Sequence, residues 1–133
     1  MARQTSGLLD TSVIIDLENI DQGLLPTRIG VSAISFAELA AGPVAARDDA
    51  ERARRQDRLQ RLEATFEPIP FSLEATRAYG RIYSAVLASG RQPRRGFADL
   101  LIAATALAEG LPLVTRNPKD FVGLEKLIDV IAV

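Results

Sequence analysis

The 133-residue sequence is 47% hydrophobic and 25% charged, which is an ordinary composition for one globular domain. It contains no Cys and no His, which excludes disulfides, zinc–thiolate sites, thiol nucleophiles and catalysis by imidazole. With 16 basic and 17 acidic residues the net charge is −1, so the chain is not a strongly basic nucleic-acid binder, and any catalysis must use carboxylates, hydroxyls, amines or a bound ion.

Strand-like and helix-like segments alternate along the chain. Short apolar runs bounded by turn residues predict strands at residues 7–10, 29–32, 66–71, 113–115 and 127–133. Apolar residues at helical spacing predict helices at 13–19, after Ser35, and at 73–89 and 97–109. A further helix is predicted at 47–63, a charge-rich stretch whose apolar positions are sparse. This alternation predicts an α/β fold with a mostly parallel sheet of short strands flanked by helices.

Polar residues at the expected helix starts predict how the first two helices begin. The Thr11-Ser12 pair is expected to cap the first helix and Ser35 the second. Glu38 follows Ser35 by three residues, which is the spacing of a capping box. The Gly42-Pro43 pair is expected to interrupt this second helix.

The chain has no repeat, low-complexity segment or linker, so we predict a single domain over residues 1–133. Its first ten residues, MARQTSGLLD, lack the basic and long apolar regions of a secretory signal peptide. No apolar run approaches the roughly 20 residues that a membrane span requires. We therefore expect a cytoplasmic protein that does not associate with membranes.

Three acids are candidates for a functional site. Asp10 ends the first strand, at the edge where open α/β sheets bind ligands, although a turn or cap role would also explain it. Glu38 lies among small and apolar residues and is equally explained as a capping-box partner. Asp99 lies in the first turn of an almost wholly apolar helix, where the helix dipole alone would favour an acid. A helix of that kind is usually buried, and a buried carboxylate needs a partner.

The segment directly after the strand at 113–115 adds two more oxygen donors, Asn117 and Asp120. Taken alone, this segment is an ordinary turn. Taken with the three acids, it predicts oxygen-only groups at one edge of the sheet, a set that suits Mg²⁺ or Mn²⁺. Such an ion would offset the repulsion among the carboxylates and would support hydrolysis without His.

Four segments in this order resemble PIN-domain nucleases, and specifically the VapC-type toxins of bacterial type II toxin–antitoxin pairs. They are LLDTSVIID at residues 8–16, SFAEL at 35–39, FADLLIAAT at 97–105 and LVTRNPKDF at 113–121. Each motif is weak alone, but four in the correct order over most of the chain make a specific signal. The resemblance implies the PIN-like α/β fold.

The resemblance also implies which residues form the site. The positions of Asp10, Glu38 and Asp99 hold Mg²⁺ or Mn²⁺ in that family, and we expect Asp10 and Asp99 to be direct ligands. A fourth position, often Asp in the family, is Asn117 here, which removes one negative charge. The residues expected to support the site are Ser12, Thr115 and Asp120.

The implied activity is endoribonucleolytic hydrolysis, in which water attacks phosphorus and leaves a 5′-phosphate and a 3′-hydroxyl. VapC-like proteins are associated with tRNA and ribosomal RNA as targets. The resemblance further implies a cognate VapB-type antitoxin that covers the site, and a toxin homodimer.

Basic side chains near these motifs are candidates for RNA contact. Arg91, Arg94 and Arg95 precede the helix of Asp99 and are expected to reach phosphates near it, unless their loop is simply solvated. Arg116 is a further candidate, or else pairs with an acid. The charged stretch at 47–63 carries both signs and is interpreted as a solvated face or partner surface rather than an RNA track.

Other functional classes fit the sequence less well. A receiver domain would pair Asp10 with an adjacent acid, and an aspartate-nucleophile phosphatase would have Asp at position 12, which is Ser12. The alternative that stays open is a catalytically weak or inactive PIN fold that binds RNA or a partner, because Asn117 departs from the family pattern.

Overall fold

A computed structural model describes residues 5–133 as four parallel strands covered by helices on both faces. The strands are β1 (Ser6–Leu9), β2 (Arg28–Val31), β3 (Leu113–Thr115) and β4 (Val130–Ala132), in the spatial order β2-β1-β3-β4. All three pairings are parallel, which confirms the predicted α/β fold. β1 is central, so the residue that follows it lies between neighbouring strands on both sides.

Within residues 5–133, five helices and three short 3₁₀ turns connect the strands. The helices are α1 (Thr11–Ile15), α2 (Ala33–Ala45), α3 (Asp49–Thr65), α4 (Leu73–Ala88) and α5 (Phe97–Glu109). The 3₁₀ turns are Leu17–Asn19, Gln22–Leu24 and Pro118–Phe121. Within residues 5–133, no helix is both long enough and apolar enough to cross a bilayer.

The alternation of side chains along the strands divides the core in two. Leu8 and Leu113 point to one face and pack with buried residues of α4 and α5. Leu9 and Val114 point to the other face and pack with α1, α2 and α3. The two apolar layers fix the helices against the sheet, and thereby fix the carboxyl edge where the strands end.

The predicted caps of the first two helices are wrong by a few residues. Asp10, rather than Thr11-Ser12, is at the N-cap position of α1, which is a single turn followed by the 3₁₀ turn at 17–19. Ser32 caps α2, because the chain leaves β2 in an extended conformation there and the Ser32 hydroxyl accepts the Ser35 N–H at 3.1 Å. The capping box between Ser35 and Glu38 therefore does not form, and Glu38 is left with a different partner.

Three further predicted boundaries are corrected. Pro43 does not interrupt α2, because it lies near the helix end, where only one backbone hydrogen bond is lost. The predicted strand at 66–71 is reduced to an isolated bridge between Ile69 and Ser32, since the prolines at 68 and 70 cannot donate to a ladder. The last strand is also shorter than predicted and covers only Val130–Ala132.

Candidate active site

Asp10 lies at the carboxyl end of the central strand and is 3% exposed. Its backbone N–H donates to the Val114 carbonyl at 2.8 Å, which fixes the residue between β1 and β3. The chain turns into α1 directly after it, so the side chain is held at the edge of the sheet rather than in either apolar layer.

The two oxygens of the Asp10 carboxylate have different surroundings. Oδ2 accepts hydrogen bonds from the hydroxyls of Ser12 at 2.7 Å and Thr115 at 2.8 Å. Oδ1 is fully buried and has no hydrogen-bond partner among residues 5–133. An unpartnered buried carboxylate oxygen is costly and rare in folded proteins, so it indicates a position made for a ligand.

Backbone amides orient the two hydroxyls that hold Asp10. The Ser12 hydroxyl accepts the Arg116 N–H at 3.1 Å, and the Thr115 hydroxyl accepts the Asn117 N–H at 2.9 Å. Because each hydroxyl oxygen already accepts from a backbone amide, its own proton is directed to Asp10. These supporting positions, Ser12 and Thr115, are thus placed by the start of α1 and the end of β3.

Thr115→Val tests this support. The change keeps the shape of the side chain and removes one of the two donors to Asp10. If Asp10 holds a metal ion for RNA cleavage, as the sequence motifs imply, activity should fall roughly 10–100-fold, the usual effect of losing a group that orients a metal ligand. The matched control is Thr105→Val, since the Thr105 hydroxyl bonds only to the Leu101 carbonyl of its own helix. Equal activity in the two variants would contradict the orienting role of Thr115.

Glu38 is held by a chain of hydroxyls that sequence reasoning missed. The Thr11 hydroxyl donates to Oε1 of Glu38 at 2.6 Å and lies 2.7 Å from the buried Ser35 hydroxyl. Since the Thr11 proton goes to Glu38, the Ser35 hydroxyl must donate to Thr11. The contact joins residues 27 positions apart, so no local pattern could reveal it, and the sequence explained Thr11 as a helix cap instead.

Asp99 is half-buried in the first turn of α5, and its surroundings raise its pKa to about 6. Burial is the main cause, followed by the negative charges of Asp10, Asp120 and Glu38, while Arg91 opposes the shift. The predicted acids therefore share one electrostatic neighbourhood. Among residues 5–133, no group of three acidic side chains is arranged so that it could hold a metal ion.

The two donors after β3 differ in their positions. Asn117 precedes the 3₁₀ turn Pro118–Phe121; its side chain is exposed and makes no capping hydrogen bond. Asp120 is half-buried, and its charge acts on Asp99. Asp120 therefore places a negative charge near Asp99, next to a position where Asn117 is neutral.

The four candidate arginines fall into two groups. Arg91 is occupied, because its guanidinium donates to the carbonyls of Val122 at 2.8 Å and Asp120 at 2.9 Å. Arg116 pairs with Asp16 at 2.8 Å, which is the alternative that the sequence left open. The pKa of Asp16 is lowered by its hydrogen bond from Asn19 and then by Arg116. Arg94 and Arg95 are exposed in the loop before α5.

The chain folds as an α/β domain with a four-stranded parallel sheet and carboxylates at the carboxyl edge of that sheet. Comparison with known families identifies the class of protein. The family model for the PIN domain matches residues 7–126. The chain therefore belongs to the PIN-domain family, in its VapC-type branch, as the sequence motifs predicted. Ribonuclease VapC5 of Mycobacterium tuberculosis is 36% identical over 123 residues, which cover 90% of this chain and 88% of the relative.

Comparison with solved structures also points to the VapC-type branch of the PIN-domain family. A crystal structure of VapBC-5 from Mycobacterium tuberculosis, a toxin–antitoxin system, matches with a TM-score of 0.86 and 34% identity over 97% of this chain and 99% of that chain. VapBC2 from Rickettsia felis, bound to a DNA fragment from the VapBC2 promoter, matches with a TM-score of 0.76 and 27% identity over 96% and 98%.

Proposed function

We propose that this chain is the endoribonuclease toxin of a VapBC pair and that it hydrolyses RNA with the help of Mg²⁺ or Mn²⁺. The observation that carries the proposal is the buried Asp10 carboxylate, which has one oxygen held by two hydroxyls and the other without a partner. Buried carboxylates with a purely structural role have hydrogen-bond partners in the large majority of cases.

The residues fit a hard divalent cation. The donors are all oxygens, and the acids near Asp99 carry a concentrated negative charge. Asp10 and Asp99 would hold the ion, and Asn117 or Asp120 would complete its surroundings. When bound, the ion supplies Lewis acidity toward phosphate and lowers the pKa of water.

The chain's own side chains position the reacting groups. Ser12 and Thr115 fix Asp10, so its unpartnered oxygen keeps a constant direction. Thr11 holds Oε1 of Glu38, which leaves Oε2 to orient the attacking water or to act as a ligand. Attack of water on phosphorus breaks the bond to the 3′-oxygen and leaves a 5′-phosphate and a 3′-hydroxyl. We propose tRNA or ribosomal RNA as the substrate class, with Arg94 and Arg95 contacting phosphates.

Partners are proposed from the solved relatives. Because those of Mycobacterium tuberculosis and Rickettsia felis are toxin–antitoxin pairs, we propose a VapB-type antitoxin that covers the acidic site. We further propose that the toxin forms a homodimer and acts in the cytoplasm.

The direct test is to incubate purified protein with structured RNA and each of several divalent metals, and to map the new 5′ ends. Cleavage that requires Mg²⁺ or Mn²⁺, stops on chelation and leaves 5′-phosphates would support the proposal. Cleavage that persists after chelation would refute the metal-dependent mechanism.

The second candidate function is a catalytically weak PIN fold that binds RNA or a partner. It is favoured by Asn117, whose neutral side chain replaces the acid expected at the fourth position. RNA binding without cleavage under every metal tested would support this candidate over the first.

The variant Asp120→Ala tests whether Asp120 supplies, for metal binding, the negative charge that Asn117 lacks. We expect the affinity for Mn²⁺, measured by calorimetry, to fall roughly tenfold, since affinity follows the number of charged donors. The companion variant Asn117→Asp should raise the affinity. An unchanged affinity in Asp120→Ala would refute this role for Asp120.

A further inference from the structure

A groove connects the acidic site with the arginine-rich helix α3. It has a volume of about 420 Å³, and its lining includes Thr11 and Glu38 together with Arg55 and Arg58 of α3. Leu39 and other small or apolar residues of α2 form part of its wall. The groove therefore brings the carboxylate that we expect to orient water and two arginines of α3 to one cavity.

Most arginines of α3 are already neutralised by acids of the same helix or its neighbours. The side chains of four of them form ion pairs at 3.6 Å or less: Arg52 with Asp49, Arg54 and Arg55 with Glu51, and Arg61 with Asp57 and Glu18. This pattern agrees with the sequence-based interpretation of the 47–63 stretch as a mixed-charge face.

Arg58 is different. It is half-buried in the groove and forms no ion pair or hydrogen bond with any residue from 5 to 133. The one acid on α3 that lines the groove, Glu51, is taken up by Arg54 and Arg55. Arg55 is fixed as well, since it also donates to the Gly42 carbonyl at 2.9 Å. Arg58 is thus a partly desolvated cation that forms no ion pair among residues 5–133, and it lines the same groove as Glu38.

We propose that Arg58 binds a phosphodiester of the RNA substrate next to the one that is cleaved, so that the groove between α2 and α3 guides the strand to the acids. The proposal rests on the proposed ribonuclease function. A guanidinium presents several donors in one plane and matches two phosphate oxygens at once, which a solvated surface lysine does not. The strand needs such a contact, because the acids themselves repel phosphate.

The test is the salt dependence of RNA binding in the non-cleaving Asp10→Asn background. The probe is a fluorescein-labelled single-stranded RNA of randomised sequence, and the readout is fluorescence anisotropy. Adding Arg58→Ala should weaken binding roughly fivefold and lower the slope of log affinity against log salt by about 0.7, the value for one single-strand phosphate contact. Arg58→Lys should restore part of the affinity.

The matched control is Arg81→Ala, which removes the same charge from the exposed surface of α4, outside this groove. It should leave both the affinity and the slope close to those of the parent. Thermal melting of each variant checks that the fold is intact.

The outcomes separate the two proposals. Equal slopes for the parent and Arg58→Ala would overturn the phosphate contact and leave the ribonuclease function standing. If the slopes are equal and Arg58→Ala also fails to bind the antitoxin, the groove binds a protein partner instead. That result likewise overturns the phosphate contact. Absence of RNA binding by the parent protein at low salt, together with no cleavage of structured RNA by the unsubstituted protein under any metal tested, would refute the ribonuclease function itself.

Discussion

Asp10→Asn is expected to abolish RNA cleavage and at the same time to stabilise the metal-free protein. The variant removes a charge that is 3% exposed and that repels Asp99, and its amide oxygen can still accept from Ser12 and Thr115. Loss of a direct metal ligand should reduce the rate by more than about 100-fold, beyond the usual effect of losing a supporting group. Relief of the buried charge should raise the melting temperature of the metal-free protein by a few degrees.

The matched control is Asp129→Asn. Asp129 is exposed and precedes β4, so it lies at the opposite edge of the parallel sheet from Asp10. The same chemical change there should alter neither cleavage nor stability. Measuring both properties matters, since a variant that merely unfolds would lose activity with a lower melting temperature. Cleavage by Asp10→Asn within about tenfold of the parent would contradict the role of Asp10 as a metal ligand.

The surroundings of Asp10 were predictable from the sequence only in part. The strand before Asp10 was predictable because a short apolar run followed by a polar residue is a strong local signal. The central position of this strand was not, since strand order depends on pairings between residues far apart in the chain. The orphaned oxygen of Asp10 follows from that central position, which surrounds the carboxylate on both sides.

The start of α2 illustrates a second limit. Ser32 and Ser35 are both good cap residues, and the sequence favoured Ser35 because Glu38 completes a capping box with it. The structure places the cap at Ser32, since β2 ends at Val31 and the helix follows directly. With the cap at Ser32, the buried Ser35 hydroxyl lies within hydrogen-bond distance of the Thr11 hydroxyl. The Glu38 carboxylate accepts a hydrogen bond from Thr11 instead of one from the backbone.

In the segment after β3, the sequence could not predict which of two neighbouring oxygen donors lies closer to the acids. Asn117 and Asp120 are three residues apart in a turn, and their exposure depends on the 3₁₀ geometry of Pro118–Phe121. The charge of Asp120 helps to raise the pKa of Asp99, whereas the neutral side chain of Asn117 has no charge to act on it. Which of the two contributes to metal binding stays a prediction, to be decided by the Asp120→Ala and Asn117→Asp variants.

Asp99 is expected to make stability and metal affinity respond to pH in opposite directions. Its pKa is about 6 in the folded protein, against an ordinary value of 3.8. Between these values the folded state binds more protons than the unfolded state, so stability of the metal-free protein falls as the pH rises from about 4 to about 6. A divalent ion needs the carboxylate, so its affinity should instead fall by about tenfold for each pH unit below about 6.

Calorimetric melting near pH 5 and near pH 7.5, with and without MgCl₂, measures both effects. Asp99→Asn should remove the pH dependence of the metal-free protein in this window, raise its stability near neutral pH, and abolish cleavage. In Asp10→Asn the pH range over which the stability of the metal-free protein changes should move to lower pH, because Asp10 is one of the charges that raise the pKa of Asp99. An unshifted pH range in that variant would mean that the charge of Asp10 does not act on Asp99, and it would contradict the proposal that the two acids hold one ion together.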